Sequence, residues 1–121
     1  MSELTQLTVT GALKKLEAKE LSAVELTDAY IAAATKGQAA TNAFITTTFD
    51  QAREAAKASD ERRAAGKAGA MEGIPIAMKD LYCTKGVQTT AGSKILDGFV
   101  PTYESTVSQK LLDAGCITIG K

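Results

Sequence analysis

Apolar positions in the first third of the chain recur at helical spacing. Val9, Ala12, Leu13 and Leu16 fall at i, i+3, i+4 and i+7, one stripe that predicts a helix from about Thr8 to Lys19. A second stripe, Ala23, Leu26, Thr27, Tyr30, Ile31 and Ala34, predicts the next helix. Ser22 and Glu25 are spaced as a capping box at its start, with Leu21 and Leu26 as the matching apolar pair. Lys36 and Gly37 place its end, a cation near the negative pole followed by a residue that tolerates left-handed backbone.

The pattern then changes period. Asn42–Thr47 is rich in β-branched and aromatic residues and predicts a short strand. Thr48 and Gln51 are spaced as a second capping box. An alanine-rich helix, charged on one side, is expected from Phe49 to about Ala64, and a flexible loop over Ala65–Ala70. Ile74–Met78 is the clearest strand. Its alternation sets Ile74, Ile76 and Met78 on one face, and Pro75, Ala77 and Lys79 on the other. Pro75 removes one ladder donor, which a first or edge position tolerates. From Cys83 to Thr102 the chain reads as loop. A last helix is expected from Ser105 to Ala114, with Val107, Leu111 and Ala114 on one face and Gly115 at its end. Cys116–Ile119 reads as a buried strand.

Helices alternating with short apolar strands predict an α/β fold with a largely parallel or mixed sheet. One domain is expected. Residues 1–70 form a helical region with one strand, and residues 71–121 form a strand, loop, helix and strand. The last strand is followed by no closing helix, which would leave an open edge, so the chain is expected to be part of something longer.

Composition narrows the function classes. Apolar residues make up 45% of the 121, and 14 basic residues balance 14 acidic ones. No basic footprint for nucleic acid or membrane surface is present. The N-terminus lacks a signal-peptide pattern and no apolar run reaches membrane-span length, so the chain reads as cytoplasmic. Cys83 and Cys116 are not spaced as a metal or redox pair and read as free thiols.

There is no histidine. Proton abstraction near neutral pH therefore falls to another group. Lys79 closes an apolar strand beside the small Ala77, at the carboxyl end of a strand, where α/β folds place their sites. Burial there would depress its pKa, and a neutral lysine serves as general base to a hydroxyl nucleophile. The other reading is a solvated strand cap. Thr89, Thr90 and Ser93 lie in a hydroxyl-dense loop. Composition alone favours turn chemistry for them, and the alternative is a loop lining a pocket beside Lys79. Cys83 has no histidine to activate it as a nucleophile. Gly115–Lys121 matches G-x-x-x-x-G-K, but a helix precedes it and its variable positions are strand-prone, so phosphate binding is rejected.

The Gly-Ile-Pro-Ile-x-x-Lys-Asp run from Gly73 to Asp80 resembles the amidase signature family. Cys83–Gly86 and Thr89–Ser93 extend the resemblance, as do Tyr103–Val107, Leu111–Gly115 and Leu21–Thr27. Within the family the likeness is greatest to the N-terminal portion of the branch formed by the A subunits of Glu-tRNA(Gln)/Asp-tRNA(Asn) amidotransferases. The resemblance implies a mixed-sheet amidase fold and a catalytic set of a Ser nucleophile, a second Ser with a cis peptide bond, and a Lys at the position of Lys79. It implies glutamine as substrate, other amidotransferase subunits as partners, ATP and magnesium at one of those partners rather than here, and tRNA met only indirectly. The segment carrying both serines lies downstream of the matched region, and Ser93, Ser105 and Ser108 do not lie in it. The 121 residues alone are thus expected to hold half a site and no activity. A stand-alone small-amide amidase and a non-catalytic interaction module are the alternatives.

Overall fold

The computed structural model describes residues 2–121. A 3-10 turn over Glu3–Gln6 leads into α1 (Val9–Glu17), α2 (Ala23–Thr41) and α3 (Phe49–Ala64). The strand β1 (Pro75–Ala77) follows, then a loop with one 3-10 turn at Lys94–Leu96, then α4 (Thr106–Asp113) and β2 (Ile117–Gly120). The two strands pair in parallel, Pro75 opposite Ile117 and Ile76 opposite Thr118. An irregularity after Ile76 then sets Ala77 opposite Gly120. The fold is α/β, as the alternation of periods predicts.

Each helix start has a local chemical cause. Thr8 caps α1 by accepting from the Gly11 amide at 3.1 Å. Ser22 and Glu25 make the full capping box at α2, the Ser22 hydroxyl accepting from the Glu25 amide and the Glu25 carboxylate from the Ser22 amide. Asp60 reaches across from α3 and accepts from the next two free amides, Ala23 at 2.7 Å and Val24 at 3.2 Å. The start of α2 is therefore tied to α3 by charge as well as packing.

The core lies where these helices meet the sheet. Leu16 of α1, Leu26 and Ile31 of α2, Ala52 and Ala56 of α3, and Ile74, Ile117 and Ile119 of the sheet region form one buried cluster. Alanines on α3 let its backbone approach α2, its main helical partner. The predicted buried face of α2 is the observed one. Val9 departs from its predicted stripe and is 48% exposed. On α4, Val107 is also exposed, and Ser108 is the buried residue. Its hydroxyl donates to the Cys83 carbonyl at 2.9 Å, exchanging an apolar contact for a bond that ties α4 to the loop.

Three local expectations fail for tertiary reasons. The helix α2 runs through Gly37 to Thr41 and stops at Asn42, whose φ is 46°. Gln38 secures that extension, its amide group donating to the Phe44 carbonyl and accepting from the Phe44 amide. Asn42–Thr47 forms no strand. Its strand neighbour among the described residues is the end of β2, which gives one antiparallel bridge, Thr47 to Gly120. Thr48 makes no capping bond. Its hydroxyl donates to the Thr118 carbonyl at 2.9 Å, so the predicted second box is replaced by a tie to β2.

The loop before β1 is pinned by a buried carboxylate. Glu72 is 2% exposed and accepts from the Arg62 guanidinium at 2.7 Å and from the Gly69 amide at 2.8 Å. Burial pushes this carboxyl up, but the Arg62 and Gly69 bonds outweigh it and hold the group below its ordinary 4.5. Gly115 passes close beside it. Its φ is 95°, and a Cβ there would sit 2.6 Å from the Glu72 Cα.

Two consequences can be measured. Gly115→Ala is expected to lose about 1–2 kcal/mol or more in urea unfolding, from strained backbone and the clash together. Glu72→Gln should destabilise at pH 7 by about 1–3 kcal/mol. Because the folded pKa is lowered, the charge contributes fully above the ordinary value and its contribution fades as pH falls through the folded one. The gap between wild type and Glu72→Gln should therefore be widest at neutral pH and narrow as pH falls below the ordinary carboxylate range. A gap that is constant with pH would contradict this role.

Candidate active site

The carboxyl ends of β1 and β2 face the same edge because the strands are parallel. Lys79 lies just beyond the end of β1, and Lys121 follows β2 directly. The two lysines have opposite surroundings. Lys79 is exposed, and its amine makes no hydrogen bond or ion pair among the described residues. It stands at a cavity of about 360 Å³ between the 43–45 segment and the strand end, lined by Phe44, Ile45, Ala77, Met78 and Asp80 among others. The predicted alternation holds here. Ile74 and Met78 turn into the core, and Ala77 and Lys79 turn outward.

The wall of the cavity is held by backbone bonds. The amides of Ile45 and Thr46 donate to the Lys121 carbonyl, and the Lys121 amide donates back to Thr46. Gly120 makes this approach possible, since a Cβ there would lie 2.6 Å from the Phe44 ring.

Behind Lys79 lies a buried polar cluster. Asp80 is 8% exposed, and both its oxygens accept from the Thr90 amide. The Thr90 hydroxyl donates to the same carboxylate at 2.5 Å. The Asp80 carbonyl accepts from the Ala91 amide at 2.8 Å. Lys121, with a fully buried side chain, donates to the Tyr82 carbonyl at 2.8 Å and to the Thr89 hydroxyl, and its amine lies 3.9 Å from Asp80. Burial pushes the Lys121 amine below its ordinary value, against the opposing pull of Asp80 first and then Cys83 and Glu104. The burial that a strand-end position suggests for Lys79 falls instead on Lys121. In the sequence Lys121 is only the end of a rejected phosphate-loop match. A signal for it exists all the same: a lysine directly after an apolar strand, as at Lys79.

The hydroxyl loop divides. Thr89 and Thr90 are buried and turn inward, to Lys121 and Asp80. Thr90 and Ser93 line a second cavity of about 260 Å³, with Gln88 and Asp97. Ile45 lines both cavities and stands between them. The Ser93 hydroxyl also accepts from the Ile95 amide, a turn-capping bond. Ser105 and Ser108 bond each other at the start of α4. Among the described residues no hydroxyl is hydrogen-bonded to Lys79, and no three acidic or cysteine side chains converge as a metal cluster requires. Cys83 is half-buried and Cys116 buried, both free. The arrangement offers one accessible amine at a cavity, set on a rigid charged base.

Comparison with known proteins places this geometry. Residues 25–121 match the amidase family, and the chain belongs to it. It is 57% identical over all 121 residues to the A subunit of glutamyl-tRNA(Gln) amidotransferase from Brucella ovis, and equally so to that from Sinorhizobium fredii. It spans 24% of the length of each. Among solved structures, it is 28% identical to peptide amidase from Stenotrophomonas maltophilia, with a TM-score of 0.91 over 98% of this chain and 25% of that one. Fatty acid amide hydrolase gives the same identity and TM-score over 98% of this chain and 21% of its own. Among the described residues no helix is long and apolar enough to cross a membrane.

The Asp80–Thr90 pair yields a direct test. Asp80→Ala strands the buried Lys121 charge and is expected to cost about 3–5 kcal/mol. Thr90→Val leaves that charge paired and should cost about 1–3 kcal/mol. Equal losses in urea unfolding would show that the ion pair adds nothing.

Proposed function

We propose that this chain contributes the base-bearing part of a glutamine-hydrolysing amidotransferase component, which releases ammonia for transamidation of mischarged Glu-tRNA(Gln). The observation that carries this reading is the 57% identity to amidotransferase A subunits along the whole chain. The exposed Lys79 amine at its cavity supports it chemically. The Lys79 amine accepts a proton, through a second serine, from a serine nucleophile. Both serines come from polypeptide outside these 121 residues. The nucleophile attacks the side-chain carboxamide carbon of glutamine and the C–N bond breaks. The proton held at Lys79 returns to the departing nitrogen, and water then hydrolyses the acyl-enzyme to glutamate. Other amidotransferase subunits are the partners in this reading. ATP and magnesium act at one of them, tRNA is met through it, and the setting is cytoplasmic.

The likeness to peptide amidase and fatty acid amide hydrolase favours a second reading, an amidase acting on small amides without partner subunits. Substrate choice separates the two. A polypeptide of the relatives' length carrying these residues should release ammonia from glutamine, with partner subunits raising the rate. Preference for other amides, with no response to partners, would favour the second reading. In either case Lys79→Ala is expected to lower kcat by about 10²–10⁴-fold. Its melting temperature should stay close to wild type, because the side chain is exposed and unbonded. Activity retained in Lys79→Ala would overturn Lys79 as the base.

A further inference from the structure

Lys121 buries a full ammonium, and a buried charge persists only where bonds and an opposite charge offset lost hydration. Its partners are not scattered. The Tyr82 carbonyl, the Thr89 hydroxyl and the Asp80 carboxylate all belong to the loop that leaves Lys79. The Tyr82 amide in turn donates to the Lys79 carbonyl at 3.1 Å. Residue 82 is thus held from both sides, by Lys79 through its N–H and by Lys121 through its carbonyl. Asp80 locks the far end of the same loop through Thr90 and Ala91. The titratable groups facing Lys121 are Asp80, with Cys83 and Glu104 beyond it.

We infer that Lys121 is a positioning residue for Lys79. Its buried ammonium clamps the Lys79–Tyr82 turn from the neighbouring strand, and so fixes the direction in which the Lys79 amine leaves the sheet. This rests on the reading of Lys79 as the base. An apolar side chain at 121 leaves the Tyr82 carbonyl without its donor, the Thr89 hydroxyl unengaged by charge and Asp80 without a counter-ion. Arginine keeps the charge but brings a planar fork, whose geometry does not match a site built around a point charge.

The test uses the polypeptide of the relatives' length and two readouts. In the first, trace acetic anhydride labels amines across about pH 7–11, and mass spectrometry follows Lys79 and Lys121 against the exposed Lys67. Lys121 should label about tenfold or more slowly than Lys67, as a buried amine does. In Lys121→Met, Lys79 labelling relative to Lys67 should change by about threefold or more as the amine's surroundings change. In the second, kcat for amide hydrolysis should fall about 10²-fold at nearly constant KM, the effect of a ~1 Å misplacement. Active-site titration would correct for unfolded protein, so lost stability alone does not move kcat. Lys121→Arg should not restore it. Should Lys121→Met fail to fold, Thr89→Val removes one acceptor and should shift Lys79 labelling in the same direction by a smaller factor. Lys121 labelling as fast as Lys67 would overturn the inference, as would Lys79 labelling unchanged in the variants. The labelling readout stands even if Lys79→Ala proves active, so failure of the functional reading is separable from failure of this one.

Discussion

Parallel pairing between β1 and β2 brings two lysines to one edge of the molecule, and that pairing spans only the three residues of β1. Just outside it, the Ile117 amide donates to the Ile74 carbonyl and the Met78 amide to the Gly120 carbonyl, one bond flanking each end of the strand. So short a ladder has little stability of its own. It is held by what lies against it, above all Leu16, Leu26 and the alanines of α3. The helical half of the chain thus supports the site without touching the chemistry. Its caps, from Ser22 and Asp60, matter because they fix the helices that press the strands together.

The two lysines divide the electrostatic work. Lys79 is exposed and its amine is left unbonded among the described residues. Lys121 carries the desolvation penalty and recovers it through hydrogen bonds and Asp80. A rigid charged base beside a free amine is the arrangement that a proton acceptor needs. The base fixes where the amine is attached, and the amine keeps its freedom to meet a reacting group.

Most of the helical architecture is legible in the sequence because it is governed by local signals. The Ser22–Glu25 spacing and the apolar stripe of α2 specify their element with little help from elsewhere. Thr48 shows where that logic stops. Its spacing to Gln51 satisfies the same capping rule, yet the Thr118 carbonyl, 70 residues away, takes its hydroxyl. Asn42–Thr47 has strand propensity but no ladder to join, and propensity without a partner makes no strand. At the site, the placement of Lys79 can be read from the alternation of Ile74, Ile76 and Met78. The strand-end position of Lys121 can be read in the same way, but its burial cannot, because it depends on a loop that returns from Asp80 to Thr90 over it. Family resemblance points to Lys79 and is silent on its support.

The segment that walls the Lys79 cavity is fastened through its own peptide groups, Ile45 and Thr46 to the Lys121 backbone and Phe44 to the Gln38 side chain. Every amino acid except proline supplies those groups. The side chains of Ala43, Phe44 and Ile45 can therefore be exchanged while the wall keeps its place, subject only to the close fit of Phe44 over Gly120. Fastening and selectivity are written in different atoms of the same segment. A protein so built can alter what its cavity admits, or merge it with the neighbouring cavity by trimming Ile45, without moving the amine that does the chemistry.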